Sequence, residues 1–117
     1  MTMTEDLSAA RTESLQILSQ QLGVSFSNLT LLHQALTHTS YANESKKHKI
    51  IHNERLEFLG DAVLELATST YLFTHFPGLP EGEMTKARAS VVCETTLSKR
   101  AAVLHLGDYL LLGHGEM

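Results

Sequence analysis

The chain has 117 residues, of which 43% are hydrophobic, and a formal net charge of -4 with histidine counted as neutral. That is enough for one compact domain with one core, and the negative charge argues against a free-standing nucleic-acid binder, which carries a basic face. There is no run of about 18 apolar residues, so no membrane span is expected.

The first residues, MTMTEDLSAARTE, are polar and acidic. They lack a basic region leading into an apolar stretch, so they do not read as a secretory signal. Leu7, Leu15, Leu18 and Leu22 share one face of a first helix, with Gly23 as its stop. Ser27 or Asn28 caps a second helix carrying Leu29, Leu32, His33 and Leu36. Thr37 to Lys49 is polar and reads as a loop or as the lead-in to a helix. The longest periodic stretch runs from about Ile50 to Phe76 and is closed by Pro77 and Gly78. Gly78 to Gly82 is a turn by composition. A fourth helix is expected from Glu81 to Glu94, and a fifth from Thr95, its cap, to Leu106, with Gly107 as its stop. The tail from Asp108 to Met117 is apolar and then glycine-rich. The sum is an all-α domain of about five helices over residues 1–117. Cys93 is the only cysteine, which excludes an internal disulfide and a cysteine-based zinc pattern. It follows two valines and reads as a core residue. A cytoplasmic protein is the simplest reading.

The long helix carries the chemistry. With Glu54 at zero and about 100° per residue, Glu57, Asp61 and Glu65 fall at about 300°, 340° and 20°. Four carboxylates thus share one arc. Leu56, Leu59, Val63, Leu66 and Ala67 fall at about 120° to 220°, the expected core face. Like charges one turn apart repel, and no basic residue stands one turn from these acids to relieve them. Hard carboxylate oxygens suit a divalent cation such as Mg²⁺. The plain alternative is a solvated acidic face. Phe58, at about 40°, lies beside the acids and away from the core face. It either packs on a neighbouring helix or acts as an interface anchor.

Other features have bland readings beside sharper ones. His48 and His52 stand one turn apart without a third ligand. Lys46, Lys47, His48 and Lys49 form either a solvated loop or a phosphate contact. Lys86, Arg88, Lys99 and Arg100 are either ordinary surface charges or the lining of a nucleic-acid groove. Met84 reads as packing.

The run His52-Asn53-Glu54-Arg55-Leu56-Glu57-Phe58-Leu59-Gly60-Asp61-Ala62-Val63-Leu64 resembles the signature of bacterial ribonuclease III nearly residue for residue. Flanking segments match in order: Leu31 to Ser40, Phe76-Pro77, Glu81 to Thr85, Arg88-Ala89, Leu106 to Asp108 and Leu112 to Glu116. The resemblance covers roughly residues 11 to 117 and is specific. It implies a ribonuclease III-type helical endonuclease domain in which Glu57 and Asp61 are catalytic and metal-binding. It implies Mg²⁺, with Mn²⁺ as a substitute, and hydrolysis of double-stranded RNA to 5′-phosphate and 3′-hydroxyl ends. Processing of ribosomal and messenger RNA follows from the same resemblance. Glu54 and Glu81 take auxiliary roles, Phe58 the dimer interface, and the active form is a homodimer. The resemblance assigns no RNA-binding residues.

The pattern also departs from the family. There the Gly-Glu segment leads into a last catalytic helix bearing a second aspartate and glutamate, and a double-stranded-RNA-binding domain follows. Neither is in these 117 residues. The expectation is a partial catalytic domain that is inactive or weakly active alone. The rival reading is a non-catalytic duplex-RNA-binding or dimerisation module on the same fold.

Overall fold

The structure, a computed structural model, describes residues 7–44 and 50–114. Helix α1 spans Ala9–Leu22. The Ser8 hydroxyl accepts the Arg11 N–H at 3.0 Å and caps its start. Its end is a left-handed Gly23 at φ 70°, whose N–H bonds back to Gln20 O while Val24 N–H reaches Ser19 O. Glycine takes that conformation without a Cβ penalty, so the expected stop is the observed one. Leu7 lies just before the helix and packs beneath it. Helix α2 is Leu29–Ala35, and Asn28 rather than Ser27 caps it, through its Oδ1 and the Thr30 N–H. Leu15, Leu18, Leu32 and Leu36 form the buried core between these helices, flanked by the half-buried Phe26, Leu29 and Tyr109.

The polar segment after α2 holds a short helix, α3, at Thr39–Glu44. His38 marks its start. The His38 ring Nδ1 accepts the Ser40 N–H at 3.1 Å, the capping role that serine or asparagine usually takes. The expected Lys46-Lys47-His48-Lys49 cluster lies outside the described residues.

Helix α4 runs Glu54–His75, starting four residues later than periodicity predicts. Residues 50–53 are instead irregular and tied by hydrogen bonds to α2 and the residues just after it. Gln34 Nε2 donates to His52 O at 3.1 Å, Asn53 Nδ2 donates to Ala35 O at 3.0 Å, and the Asn53 N–H donates to Thr37 O at 2.9 Å. Helix α5 is Glu81–Val92 and helix α6 is Glu94–Val103. A 3-10 turn follows at Leu106–Asp108, entered through His105 at φ 54°. Six α-helices are therefore described, and the all-α expectation holds. Among the described residues, no helix is long and apolar enough to cross a membrane.

Two expectations are corrected. The side of α4 carrying Leu59, Val63, Leu66 and Ala67 is not the core: these residues are exposed and Leu56 is half-buried. The side that packs on α5 carries Leu72, which is buried, with Leu64, Thr68 and Ser69 half-buried. Arg88 of α5 donates to the Ser69 hydroxyl at 3.0 Å across that junction. The face was misassigned because periodicity finds an apolar stripe but not the element that covers it. Cys93 is likewise exposed, not core. It occupies the N-cap of α6 in place of the expected Thr95.

The tail closes the molecule. Leu111 forms a parallel bridge with Thr37, and Gly113 N–H donates to Ser40 Oγ at 2.8 Å. Gly113 is buried, and a Cβ there would stand 2.8 Å from Ser40 O and collide with the Glu44 carboxylate. Overpacking of this kind costs about 1–3 kcal/mol. Gly113→Ala is expected to lower the urea midpoint accordingly with an unchanged slope; an unaltered midpoint would show that the tail is not docked in solution.

Candidate active site

The candidate site is the acidic side of α4. Glu54 and Glu57 occupy its first turn, where the positive end of the helix dipole favours anions. The Glu57 N–H donates to Asn53 O at 2.8 Å, so the fixing of Asn53 on α2 also fixes the start of the stripe. Asp61 and Glu65 follow at one-turn intervals of about 6 Å, beyond the reach of the dipole. All four side chains are exposed. Among the described residues none of them takes part in an ion pair or a side-chain hydrogen bond.

The structure keeps Glu57 and Asp61 one turn apart and brings no third ligand to them. Among the described residues, no group of three or more His, Cys, Asp or Glu side chains could hold a metal ion. Two carboxylates are still a workable donor set for a hard cation such as Mg²⁺, which retains waters and takes phosphate oxygens as further ligands.

Phe58 stands beside the acids with 72% of its surface exposed. It lines a hollow of about 630 Å³ with Gln34, Arg55, Leu56, Leu59 and Ala62, so α2 and α4 frame an apolar recess at this end. Glu81 is not gathered with Glu57 and Asp61. It lines a second hollow of about 400 Å³ against Ser69, Thr70 and Phe73. The nearest of these is eight residues, about 12 Å, beyond Asp61 along the helix. Met84 is half-buried in the same hollow, as its packing role predicts.

Of the basic candidates, Lys86 pairs with Glu83 at 3.7 Å on the surface of α5. Lys99 and Arg100 are exposed on α6. Arg88 is half-buried and holds α5 to α4 through Ser69. His52 is drawn into the backbone, its Nδ1 accepting the Glu54 N–H at 3.4 Å, while His48 lies outside the described residues.

Two polar pairs were not legible in local spacing. Arg11 Nε donates to His33 Nδ1 at 3.0 Å between α1 and α2, and burial lowers the Arg11 pKa while nearby Tyr41 acts to raise it. Cys93 Sγ lies 3.3 Å from Thr96 Oγ1. Hydrogen bonds from the Thr96 side chain and then its backbone hold the Cys93 thiol below its ordinary pKa.

Comparison with known proteins identifies the family. A family model described as Ribonuclease-III-like matches residues 28–117. Ribonuclease 3 of Oceanobacillus iheyensis is 54% identical over 99 residues, which are 85% of this chain and 43% of that protein. Ribonuclease 3 of a Geobacillus species (strain WCH70) is 50% identical over 112 residues, 96% of this chain and 46% of that protein. The chain thus spans less than half the length of these relatives. The solved nuclease domain of ribonuclease III from Campylobacter jejuni, described for flexibility in a region involved in dimer formation, superposes with a TM-score of 0.76. It is 43% identical and covers 87% of this chain, which in turn covers 67% of it.

Two outcomes follow from the site. Asp61 sits mid-helix without a partner and between like charges, so Asp61→Ala is expected to raise stability by roughly 1 kcal/mol, through helix propensity and relieved repulsion. Thermal melts of both chains decide it, and a fall in stability would reveal a partner. The thiolate is the nucleophile in alkylation. Cys93 should therefore react with iodoacetamide with a midpoint pH below that of free cysteine, and Thr96→Val should move that midpoint up.

Proposed function

The chain belongs to the ribonuclease III family, and from that premise we propose that it is part of a metal-dependent endonuclease that hydrolyses double-stranded RNA to 5′-phosphate and 3′-hydroxyl ends. The observation that carries the reading is the pair Glu57 and Asp61: exposed, one helical turn apart, and without a protein partner among the described residues. Unpaired carboxylates in that arrangement weaken the helix, and a cation answers the repulsion directly.

Glu57 and Asp61 are the residues that would hold the ion, Mg²⁺ or in substitution Mn²⁺. When bound, such an ion lowers the pKa of a coordinated water and neutralises charge at phosphate. The protein's own part is to aim the two carboxylates outward from a helix whose start is fixed by Asn53 and Thr37. Glu54 extends the same negative surface by one turn, and Glu81 takes an auxiliary role from the hollow it lines with Ser69, Thr70 and Phe73. Phe58, exposed beside the acids, is the interface anchor of a homodimer. Two such subunits set two acidic clusters on one duplex, read by shape and 2′-hydroxyls. Cytoplasmic maturation of ribosomal RNA and processing of messenger RNA are the matching roles. The 117 residues form a partial catalytic domain. With two carboxylate ligands and no group of three among the described residues, the chain alone is inactive or nearly so.

The test replaces the matched region of the Oceanobacillus iheyensis protein with this chain and follows a labelled RNA duplex in Mg²⁺. The chimaera should cut, the isolated chain should not, and Glu57→Ala or Asp61→Ala in the chimaera should cost more than the roughly 10–100-fold typical of losing an outer-shell partner of a metal site. A folded chimaera that binds duplex without cutting it would establish the non-catalytic module instead.

A further inference from the structure

Three helices start at residues suited to capping, and one of them goes uncapped. Ser8 caps α1 through its hydroxyl and the Arg11 N–H, and Asn28 caps α2 through its Oδ1 and the Thr30 N–H. Asn28 does so in the extended conformation usual for that position, at φ -137° and ψ 99°. Asn53 holds the same position on α4. Its backbone is at φ -96° and ψ 5°, and its side chain makes no cap bond to the first turn. The amide is used elsewhere: Nδ2 donates to Ala35 O of α2 at 3.0 Å. Gln34, the neighbour of Ala35, donates in return from Nε2 to the carbonyl of His52, the neighbour of Asn53, at 3.1 Å. Two side-chain amides thus cross between the same two pairs of residues, forming a reciprocal clasp. The bond from the Asn53 N–H to Thr37 O at 2.9 Å lies beside it.

Helix stability does not account for this use of Asn53. Asparagine is among the best capping residues, and a cap satisfies N–H groups that a helix start leaves open. Asn53 forgoes that on a helix of 22 residues, for a bond that is exposed to competing water. A cap holds the first turn only to itself, whereas a tie to α2 sets where that turn stands in the domain. The turn so placed carries Glu57, whose N–H donates to Asn53 O at 2.8 Å, and Asp61 follows one turn on. A functional constellation tolerates errors of only about 0.5 Å. Resting on the reading of Glu57 and Asp61 as metal carboxylates, we propose that Gln34 and Asn53 are positioning residues for them. Their crossed amides fix the first turn of α4 on α2, and neither residue touches the ion.

Serine separates the two roles of position 53. It caps a helix as well as asparagine does, but it is one atom shorter and has no amide to give to Ala35 O. In the 117-residue chain, Asn53→Ser should melt at the parent's temperature or above it. Hydrogen exchange of the amide at position 53, bonded to Thr37 O, should nevertheless quicken about tenfold or more as the clasp opens. In the chimaera with the Oceanobacillus iheyensis protein, Asn53→Ser should raise the half-saturating Mg²⁺ concentration about tenfold or more, the range for partners that orient metal ligands. Saturating Mg²⁺ should bring the cutting rate back towards the parent's. Gln34→Met, which removes the other half of the clasp, should move exchange and Mg²⁺ dependence in the same direction. A lower melting temperature with unchanged Mg²⁺ dependence would make Asn53 merely structural and overturn the proposal. Unchanged exchange would overturn it too, as would a loss of cutting that saturating Mg²⁺ does not restore. A parent chimaera that fails to cut would sink the nuclease reading alone, and the exchange measurement would then decide whether the clasp sets the start of α4.

Discussion

Thr37 is the point on which the rest of the fold turns. It is fully buried, and a buried peptide group must find partners within the protein. Its N–H goes to Gln34 O, its hydroxyl to His33 O at 2.7 Å, and its carbonyl to the Asn53 N–H at 2.9 Å. On either side, Leu111 N–H donates to Leu36 O at 2.8 Å and His38 N–H donates to Leu111 O at 3.0 Å. Three remote segments, the end of α2, the start of α4 and the tail, thus share one short stretch of backbone. The reach of that knot extends to the acids. Asn53 is pinned by Thr37 and its carbonyl takes the Glu57 N–H, so the first site residue is two hydrogen bonds from the buried threonine.

The knot explains which expectations were legible and which were not. Glycine and cap chemistry is local, so the stop of α1 at Gly23 and the cap at Asn28 could be read from neighbouring residues. The core leucines Leu15, Leu18, Leu32 and Leu36 obey helical spacing and were legible for the same reason. The start of α4 was not. Ile50 and Ile51 fit the apolar period, but hydrogen bonds from the side chains of Gln34 and Asn53 tie residues 52 and 53 to α2, a competition set by residues 18 apart. The short helix α3 was missed because a histidine, not a serine or asparagine, caps it. The acidic stripe could be drawn from spacing alone because four carboxylates on one helix need no tertiary information to share a side. The meaning of that stripe came from the signature resemblance, since spacing equally allows a solvated face.

The core face of α4 is the instructive failure. A helix with apolar residues on one side and acids on the other invites the inference that the acids face water and the apolar side faces the protein. Here α5 packs over Leu72, Thr68 and Ser69, along the line of the acids two turns further on. The same side of one helix is thus solvent-exposed and charged at its start and protein-covered at its end. The change follows composition: Glu57, Asp61 and Glu65 give way to Thr68, Ser69 and Leu72. The hydroxyls of Thr68 and Ser69 are satisfied at that junction by Leu64 O and Arg88, which lets small polar residues sit under α5 without an orphaned donor.

These features give α4 two unmet demands on opposite sides. Repulsion among the acids is relieved by positive charge, and the exposure of Leu59, Val63 and Leu66 is relieved by apolar burial. Neither can substitute for the other, because the first is electrostatic and screened by salt, whereas the second scales with area removed from water. Burial of that apolar side and cation binding at the acids would therefore be separable events, coupled only through the rigidity of the helix between them. The physical content of that coupling is the positioning of two carboxylates to within a fraction of an ångström, which a metal site needs and a helix half open to water does not supply unaided. The knot at Thr37 fixes where α4 begins, and packing against α5 holds its far end. Glu57 lies three residues from the first of these constraints, which therefore bears directly on where its carboxylate stands.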